Sequence, residues 1–214
     1  MTDRYRRWLD RKTVERCIKN LKRNGFDARF VPAPEAACRE ILGLISDYES
    51  FGIGGSDTIR KIGIIPELKG MGKTIHDHWD SELSPDEVQA ARLAQGRCDC
   101  FICSANAISA RGEIVNVDGI GNRVTAMTYG PRKVVIAAGI NKIRPDLDQA
   151  LQRVRQIAGP MRAKSLGMDT PCAETGECAD CHSPQRICRI TTILHRCPMM
   201  TDIAVVLVGA ELGY

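Results

Sequence analysis

The stretch IAVVLVG, from Ile203 to Gly209, decides the fold of this 214-residue chain. It is an unbroken run of apolar, mostly β-branched residues, without the polar alternation of a strand that has one face in water. Such a strand is buried on both faces, which is typical of the inside of a parallel sheet. KVVIAA, from Lys133 to Ala138, is a second run of this kind. The sequence therefore predicts a parallel sheet that is covered on both faces.

Helices and strands alternate along the rest of the chain, with short links between them. Apolar residues recur with helical spacing between Thr13 and Arg23, and Ser84-Pro85 with Glu87 has the residue pattern of a helix N-terminus. Further helices are predicted from Pro34 and over 146–158, where Gly159-Pro160 is expected to end the helix, and strands over 28–31, 98–103 and 112–117. This order predicts an α/β fold: a mostly parallel open sheet flanked by helices, with a Cys-rich insertion before the last strand.

The length and composition suit one structural domain. The chain has 43% hydrophobic and 26% charged residues, both ordinary for a globular protein. Within that domain, a helical segment over 1–48 is expected to pack on the sheet. Residues 49–214 are expected to form the α/β body, which includes a Cys-rich metal-binding segment at 170–198.

Composition excludes several classes of partner. The net charge is only +4 and aromatic residues make up 5% of the chain, which argues against a nucleic-acid platform. No run approaches the roughly 18 apolar residues of a membrane span. The N-terminal stretch MTDRYRRWLDRK lacks the apolar centre of a secretory signal, so a cytoplasmic location is expected.

Polar residues and glycines follow the ends of several predicted strands. Because the carboxyl ends of parallel strands meet at one edge of a sheet, we expect these residues to form a site for a small anionic organic ligand. Asp118 and Asn106 are the candidate catalytic residues. For the residues from Gly54 to Thr58, a tight turn capped by Ser56 or Asp57 is an equally valid interpretation. The candidate ligand-binding residues are Gly54, Gly55, Ser56, Asp57, Thr58, Gly119, Asn122, Arg123, Asn141 and Lys142.

A polar segment near the C-terminal end contains four of the ten cysteines. TPCAETGECADCHSPQRICR, from Thr170 to Arg189, has the spacing C-x5-C-x2-C-x6-C and almost no apolar residues to fold around. Thiolates that converge on a metal would order it, and the unequal spacings favour an iron–sulfur cluster of the 4Fe-4S type over zinc. Structural zinc, disulfides and free thiols remain alternatives. The candidate ligands are Cys172, Cys178, Cys181 and Cys188, with Cys197 as a further candidate.

The other cysteines and the histidines have simpler interpretations. In CDCFIC, from Cys98 to Cys103, strand alternation places Cys100 and Cys103 on opposite faces, so these residues are interpreted as buried packing. His76 and His78 are two residues apart and would share a face of a strand. A pair without a third ligand nearby is a weak signal for a metal site.

Five stretches together resemble the LUD (lactate utilisation) domain family. They are FGIGGSDT, SANAISARGEIVNVDGIGNRV, YGPRKVVIAAGINKI, PCAETGECADCHSPQRIC and VVLVGAELGY, and they extend from Phe51 to the end of the sequence. The resemblance implies a fold of the NagB/ribose-phosphate isomerase/CoA-transferase type. Some members of the family are required for lactate oxidation through iron–sulfur and flavin-type subunits. By position, the glycine loop, the polar strand ends and the Cys segment match the family, the last of these in a subgroup with clustered cysteines.

The resemblance implies an iron–sulfur protein of organic-acid oxidation. Such a protein would pass electrons to or from a ligand at the carboxyl edge of the sheet and would work with partner redox subunits. Two alternatives remain open: a non-redox isomerase or CoA/acyl-transfer enzyme with a structural zinc site, and a redox-sensing regulatory module. Self-association into a homo-oligomer is also open.

Overall fold

The computed structural model describes residues 2–214, with two sheets and the helices that cover them. The strands are β1 (Asp27–Val31), β2 (Ser50–Ile53), β3 (Thr74–Asp77), β4 (Cys100–Cys103), β5 (Ala107–Ser109), β6 (Ile114–Asp118), β7 (Lys133–Gly139), β8 (Ile143–Arg144), β9 (Ile190–Leu194) and β10 (Asp202–Val208). The helices are α1 (Thr2–Arg23), α2 (Pro34–Leu44), α3 (Asp57–Ile62), α4 (Ile64–Gly70), α5 (Pro85–Gln95), α6 (Asn122–Thr128), α7 (Leu147–Arg153), α8 (Gly159–Ser165) and α9 (Pro171–Thr175). No helix within residues 2–214 is long and apolar enough to cross a membrane.

The main sheet has six strands in the order β1-β10-β7-β4-β2-β3, and every neighbouring pair is parallel. β10 is central: Ala204 pairs with Asp27 on one side and with Val135 on the other. Residues 203–208 of β10 are fully buried, because helices cover both faces of the sheet. The predicted α/β class and the buried parallel strands are confirmed.

Two apolar cores lie on opposite faces of this sheet. On one face, Cys17 and Leu21 of α1 and Met127 of α6 pack against alternate residues of β7 and β10. On the other face, α2, α3 and α4 supply Ile41, Ile59 and the other apolar residues of the second core. The CDCFIC stretch splits between the cores, with Cys103 in the first and Cys100 in the second. Cys100 and Cys103 thus face opposite sides of the sheet and are both buried, in agreement with the interpretation that they pack in the core.

A second, four-stranded sheet with the order β8-β5-β6-β9 was not anticipated from the sequence. β5 and β6 are antiparallel, and residues 110–113 connect them as a short turn in which Gly112 has a φ of 95°. A parallel crossover needs a dozen or more connecting residues, so this short link is the signal of a hairpin. The predicted strand 112–117 therefore belongs to the second sheet.

Two helices differ from the sequence prediction. α1 begins at Thr2 rather than near Thr13. The prediction that Gly159-Pro160 ends the helix after Asp146 is wrong, because α7 continues through a π-helical segment, Val154–Ala158, into α8. Pro160 directly follows the π-helical segment, so the break in the regular hydrogen-bond pattern that proline causes coincides with this segment and not with a helix end.

Candidate functional site

A cavity of about 390 Å³ lies at the carboxyl edge of the main sheet. Residues that follow β2, β4 and β7 line it, as the rule for ligand sites in open parallel sheets predicts, and residues that follow β6 of the second sheet complete the lining. Two candidate residues lie outside it: Gly54 is covered by Phe101 and Cys103, and the Asn141 side chain accepts a hydrogen bond from the Leu212 N–H. The candidate residues that line the cavity are Gly55, Ser56, Asp57, Thr58, Asn106, Asp118, Gly119, Asn122, Arg123 and Lys142.

The glycine loop after β2 forms one wall. The Ser56 hydroxyl caps α3 by accepting a hydrogen bond from the Ile59 N–H at 3.4 Å. A Cβ atom on Gly55 would lie 2.6 Å from the Trp79 ring, so the absence of a side chain lets the indole lie against the loop. The tight-turn interpretation thus describes the local structure, and the loop also faces the cavity.

Trp79 and its arginine neighbours form a second wall that sequence reasoning missed. The guanidinium carbons of Arg60 and Arg162 lie 4.6 Å and 4.4 Å from the ring centroid. Trp79 lies two residues past the end of β3, so the strand-end rule could have identified it. Arg92 and Arg162 also line the cavity and lie on helices α5 and α8. No local sequence pattern predicts that these two side chains reach the cavity.

His78 is also at the cavity. Gln95 Nε2 lies 2.8 Å from His78 Nδ1 and shares its two protons among this nitrogen and the carbonyls of Ile53 and His76. Because an amide nitrogen only donates, this contact favours the tautomer in which Nδ1 accepts. Burial and the nearby Arg92 lower the pKa of His78. His78 is therefore neutral at neutral pH, with its proton on Nε2. His76 lies in a separate groove, so the two histidines do not form a pair.

Asn106, Asp118 and Arg123 form a connected network. Asn106 Oδ1 accepts hydrogen bonds from the Val117 N–H at 2.8 Å and from Arg123 Nη2 at 3.2 Å. Arg123 also donates to the Val117 carbonyl, and its Nε lies 3.8 Å from Asp118 Oδ2. Arg123 Nη1 makes no hydrogen bond within the described part of the chain. The network fixes the guanidinium and leaves one of its two forked nitrogens for a ligand.

Asp118 is ionised in this setting. Burial alone would raise the pKa of its carboxyl group, but Arg123 and the N–H groups of Ile120, Gly121 and Val124 outweigh burial and lower it. Its two oxygens accept hydrogen bonds from the Ile120 and Val124 N–H groups at 3.2 Å and 3.3 Å. The carboxylate therefore stabilises the turn before α6, and in its ionised form it has no proton to donate.

Lys142 lies in the 3-10 turn Ile140–Lys142 just past β7 and is 4% exposed. Its Nζ atom is 3.0 Å from both Thr58 Oγ1 and Ser104 Oγ. Burial, and then the charges of Arg153 and Arg123, lower the pKa of Lys142 to about 7. The amine is thus partly unprotonated at neutral pH.

The charges around the cavity favour a negative ligand. Arg92, Arg123, Lys142 and Arg162 line it, against the carboxylates of Asp57 and Asp118. A forked guanidinium in a partly buried cavity is the group that proteins use most often to bind a carboxylate or phosphate. The arrangement can hold a small anion beside a neutral imidazole and a lysine amine.

The Cys-rich segment borders this cavity through Ile187 and Cys188. Its backbone is held where β9 pairs with β6 and where the Arg189 N–H donates to the Asp118 carbonyl at 3.0 Å. The Ile187 carbonyl approaches Gly119 closely, since a Cβ atom there would lie 3.0 Å from it. Arg186 organises the loop: it donates to the carbonyls of Cys181 and Cys188 at 2.7 Å and 2.9 Å and pairs with Asp180 at 2.8 Å. An arginine thus orders a segment for which the sequence predicted a metal.

The thiols as arranged do not fit a metal centre. No three His, Cys, Asp or Glu side chains in the described residues are grouped so that they could hold a metal ion. Cys178 is exposed, and all ten cysteines are free thiols. Cys197 packs against the first core, with its Sγ 3.3 Å from the Thr201 carbonyl.

Comparison with known proteins gives one sequence match and a set of structural ones. The family model described as the LUD domain matches residues 14–208. Eight solved chains match in structure; one is a crystal structure of a DUF162 family protein from Deinococcus radiodurans, with a TM-score of 0.54 at 13% identity over 93% of this chain and 98% of that one. No curated protein matches the chain. At this identity the structural likeness concerns the fold alone.

Proposed function

This chain belongs to the LUD domain family, and from that premise we propose that its cavity binds a small organic acid through the carboxylate group. The family is named for lactate utilisation, so 2-hydroxy and 2-oxo acids are the expected ligands. The observation that supports this most directly is Arg123, whose guanidinium is fixed by Asn106 and Val117 while Nη1 stays available at the cavity.

The neighbouring groups suit the rest of such a ligand. A hydroxyl or keto oxygen beside the carboxylate needs a hydrogen-bond donor, and His78 Nε2 carries a proton in its neutral form. The excess of cationic over acidic side chains at the cavity compensates the ligand charge. A cavity of about 390 Å³ lies within the usual size range of small-molecule sites.

Titration calorimetry tests this proposal with matched ligands. Lactate and oxamate are expected to bind at one site per chain, and lactamide, which replaces the carboxylate with a neutral amide, is expected not to bind. The reason is that a charged carboxylate makes a charge-assisted hydrogen bond with Arg123 Nη1, whereas the neutral amide of lactamide makes only a weaker one. Equal binding of lactate and lactamide, or binding of neither lactate nor oxamate, would contradict the proposal.

A second candidate function is that of an iron–sulfur protein. It is favoured by the position of Cys188 on the cavity wall, which would place a cluster next to the bound acid. Because the thiols are not grouped in this structure, uptake of a cluster by Cys172, Cys178, Cys181 and Cys188 requires the loop to rearrange around Arg186.

Metal analysis of protein purified without oxygen tests the second candidate. Iron and acid-labile sulfide are expected in the unaltered protein and in Cys38→Ser, which changes a thiol on α2, but not in Cys188→Ser. Protein that contains only zinc, or a Cys188→Ser variant with undiminished iron and sulfide, would refute a cluster at these ligands.

A further inference from the structure

We propose that Lys142 is a nucleophile that forms a covalent imine with the keto group of a 2-oxo acid bound in the cavity. This inference rests on the proposed binding of organic acids and adds a reaction and a substrate class to it. The argument depends on the contacts of the lysine amine and on a comparison with a second buried lysine at the opposite end of β7.

The two ends of β7 bear buried lysines with opposite surroundings. Lys133, at the amino end, is 5% exposed and its Nζ pairs with Asp202 at 2.6 Å. Lys142, past the carboxyl end, is equally buried, but within residues 4–214 no carboxylate forms an ion pair with it. A buried lysine with a structural role is normally paired, because an unpaired ammonium is costly to bury. Lys142 is thus buried in a way that favours the neutral amine.

The hydrogen bonds around Lys142 leave its lone pair free. The Thr58 hydroxyl donates to the Leu212 carbonyl at 3.2 Å, so its oxygen is an acceptor for Nζ. The Ser104 hydroxyl points in the same way to the Ala105 carbonyl, at 3.5 Å, and its oxygen is the second acceptor. A neutral amine has two N–H bonds and one lone pair. Both N–H bonds are therefore directed to hydroxyl oxygens, and the lone pair remains for a ligand.

The charged groups around the amine keep part of it unprotonated at neutral pH. Burial is the largest effect, followed by Arg153 and Arg123, and together they lower the pKa of Lys142 to about 7. Asp57 and Cys103 act in the opposite direction and are outweighed. An amine of this kind is a nucleophile towards carbonyl carbon at neutral pH, as in other enzymes that form Schiff bases through a desolvated lysine.

The reaction is balanced without a further reactant. The Nζ lone pair forms a bond to the keto carbon, the two amine protons are transferred to the keto oxygen, and that oxygen leaves as water while the C=N bond forms. No electrons are gained or lost, so no oxidant or reductant is needed. Arg123 lines the same cavity and would bind the carboxylate of the acid, which orients the keto carbon.

Reductive trapping tests the imine. The protein is incubated with pyruvate and sodium cyanoborohydride, and its intact mass and tryptic peptides are measured. We expect one reduced adduct per chain, located on Lys142 and absent from Lys133, with an initial rate that increases as the pH rises through about 7, because the neutral amine is the reacting form. Lys142→Met is expected to give no adduct, and circular dichroism and a melting curve show whether it is folded.

Each outcome supports or overturns the inference. If the adduct is absent, or is distributed over exposed lysines, Lys142 is not the nucleophile; the site mapping in the unaltered protein decides this even if Lys142→Met does not fold. Calorimetry with oxamate separates this result from a failure of acid binding, because oxamate has the shape of pyruvate but an amide carbonyl that does not form an imine. Oxamate binding without pyruvate trapping overturns the imine alone, and loss of both overturns the binding proposal as well.

Discussion

Replacement of Arg123 by methionine is expected to lower the affinity of the cavity for oxamate by about 30-fold or more. The Arg123 side chain is 15% exposed and its guanidinium is fixed by Asn106 and the Val117 carbonyl, so it meets a ligand without having to be ordered first. Loss of such a charge-assisted hydrogen-bond pair costs about 2 kcal/mol or more, and each 1.4 kcal/mol is about tenfold in affinity. Titration calorimetry at a fixed salt concentration measures the change.

Two further variants distinguish the loss of the Arg123 contact with the ligand from the effect of a lower net charge of the protein. Arg155→Met removes one positive charge from the exposed side of the neighbouring π-helical segment and is expected to leave the oxamate affinity within about twofold. Arg123→Lys keeps the charge but not the fork, and an intermediate loss is expected. An equal loss in Arg123→Met and Arg155→Met would show that the site acts through net charge rather than through a defined contact.

Replacement of Gly130 by alanine is expected to lower the free energy of unfolding by about 4 kcal/mol or more. Gly130 has a φ of 118°, and a Cβ atom there would lie 2.2 Å from the Gly96 carbonyl oxygen. Gly96 follows α5 and Gly130 follows α6, so this close approach sets the distance between the two helices. Since backbone atoms cannot rotate away as a side chain can, the helices must separate. Urea denaturation followed by circular dichroism measures the loss.

Gly63→Ala is the matched control for this experiment. Gly63 also has a positive φ, 80°, but a Cβ atom there would have no neighbour within 4 Å. Only the cost of the left-handed backbone remains, about 1–2 kcal/mol. Comparable losses at both positions would mean that backbone strain, not the approach of Gly130 to Gly96, causes the effect.

The separation of α5 and α6 also affects the cavity. Asn122 Nδ2 donates to Gln95 Oε1 at 3.0 Å across this interface, and Gln95 in turn fixes His78. Any Gly130→Ala protein that folds is therefore expected to show weaker acid binding, since the Gln95 contact to Asn122 is broken. Stability and binding depend here on the same helix pair.

The main sheet was predictable because apolar runs such as that of β10 have no other stable place in a folded chain. The strand-end rule also located Thr58, Asn106, Arg123 and Lys142, which the structure places around one cavity. The second sheet was missed because β6 alternates little and is buried like a parallel strand, with residues 114–116 fully buried. Only the short link to β5 distinguishes β6 from a strand of the parallel sheet.

Other features of the site depend on long-range packing that no local pattern records. Arg162 reaches Trp79 because the π-helical segment continues α7 into α8, where a Gly-Pro pair predicted an end. Lys142 is distinguished by having no ion-paired carboxylate within residues 4–214, and a linear sequence does not show which distant residues fail to meet. The organising role of Arg186 in the Cys segment is likewise a three-dimensional fact, and the proposed cluster remains a prediction.

The position of β10 has a consequence for how the protein is made. β10 follows the other nine described strands along the chain, yet it lies between β1 and β7, and within residues 2–214 β1 pairs with no other strand. During synthesis, β1 and one edge of β7 therefore have no partner strand until β10 has been translated. Until then the nascent chain exposes unpaired strand edges, which are prone to aggregate and are the kind of surface that chaperones protect.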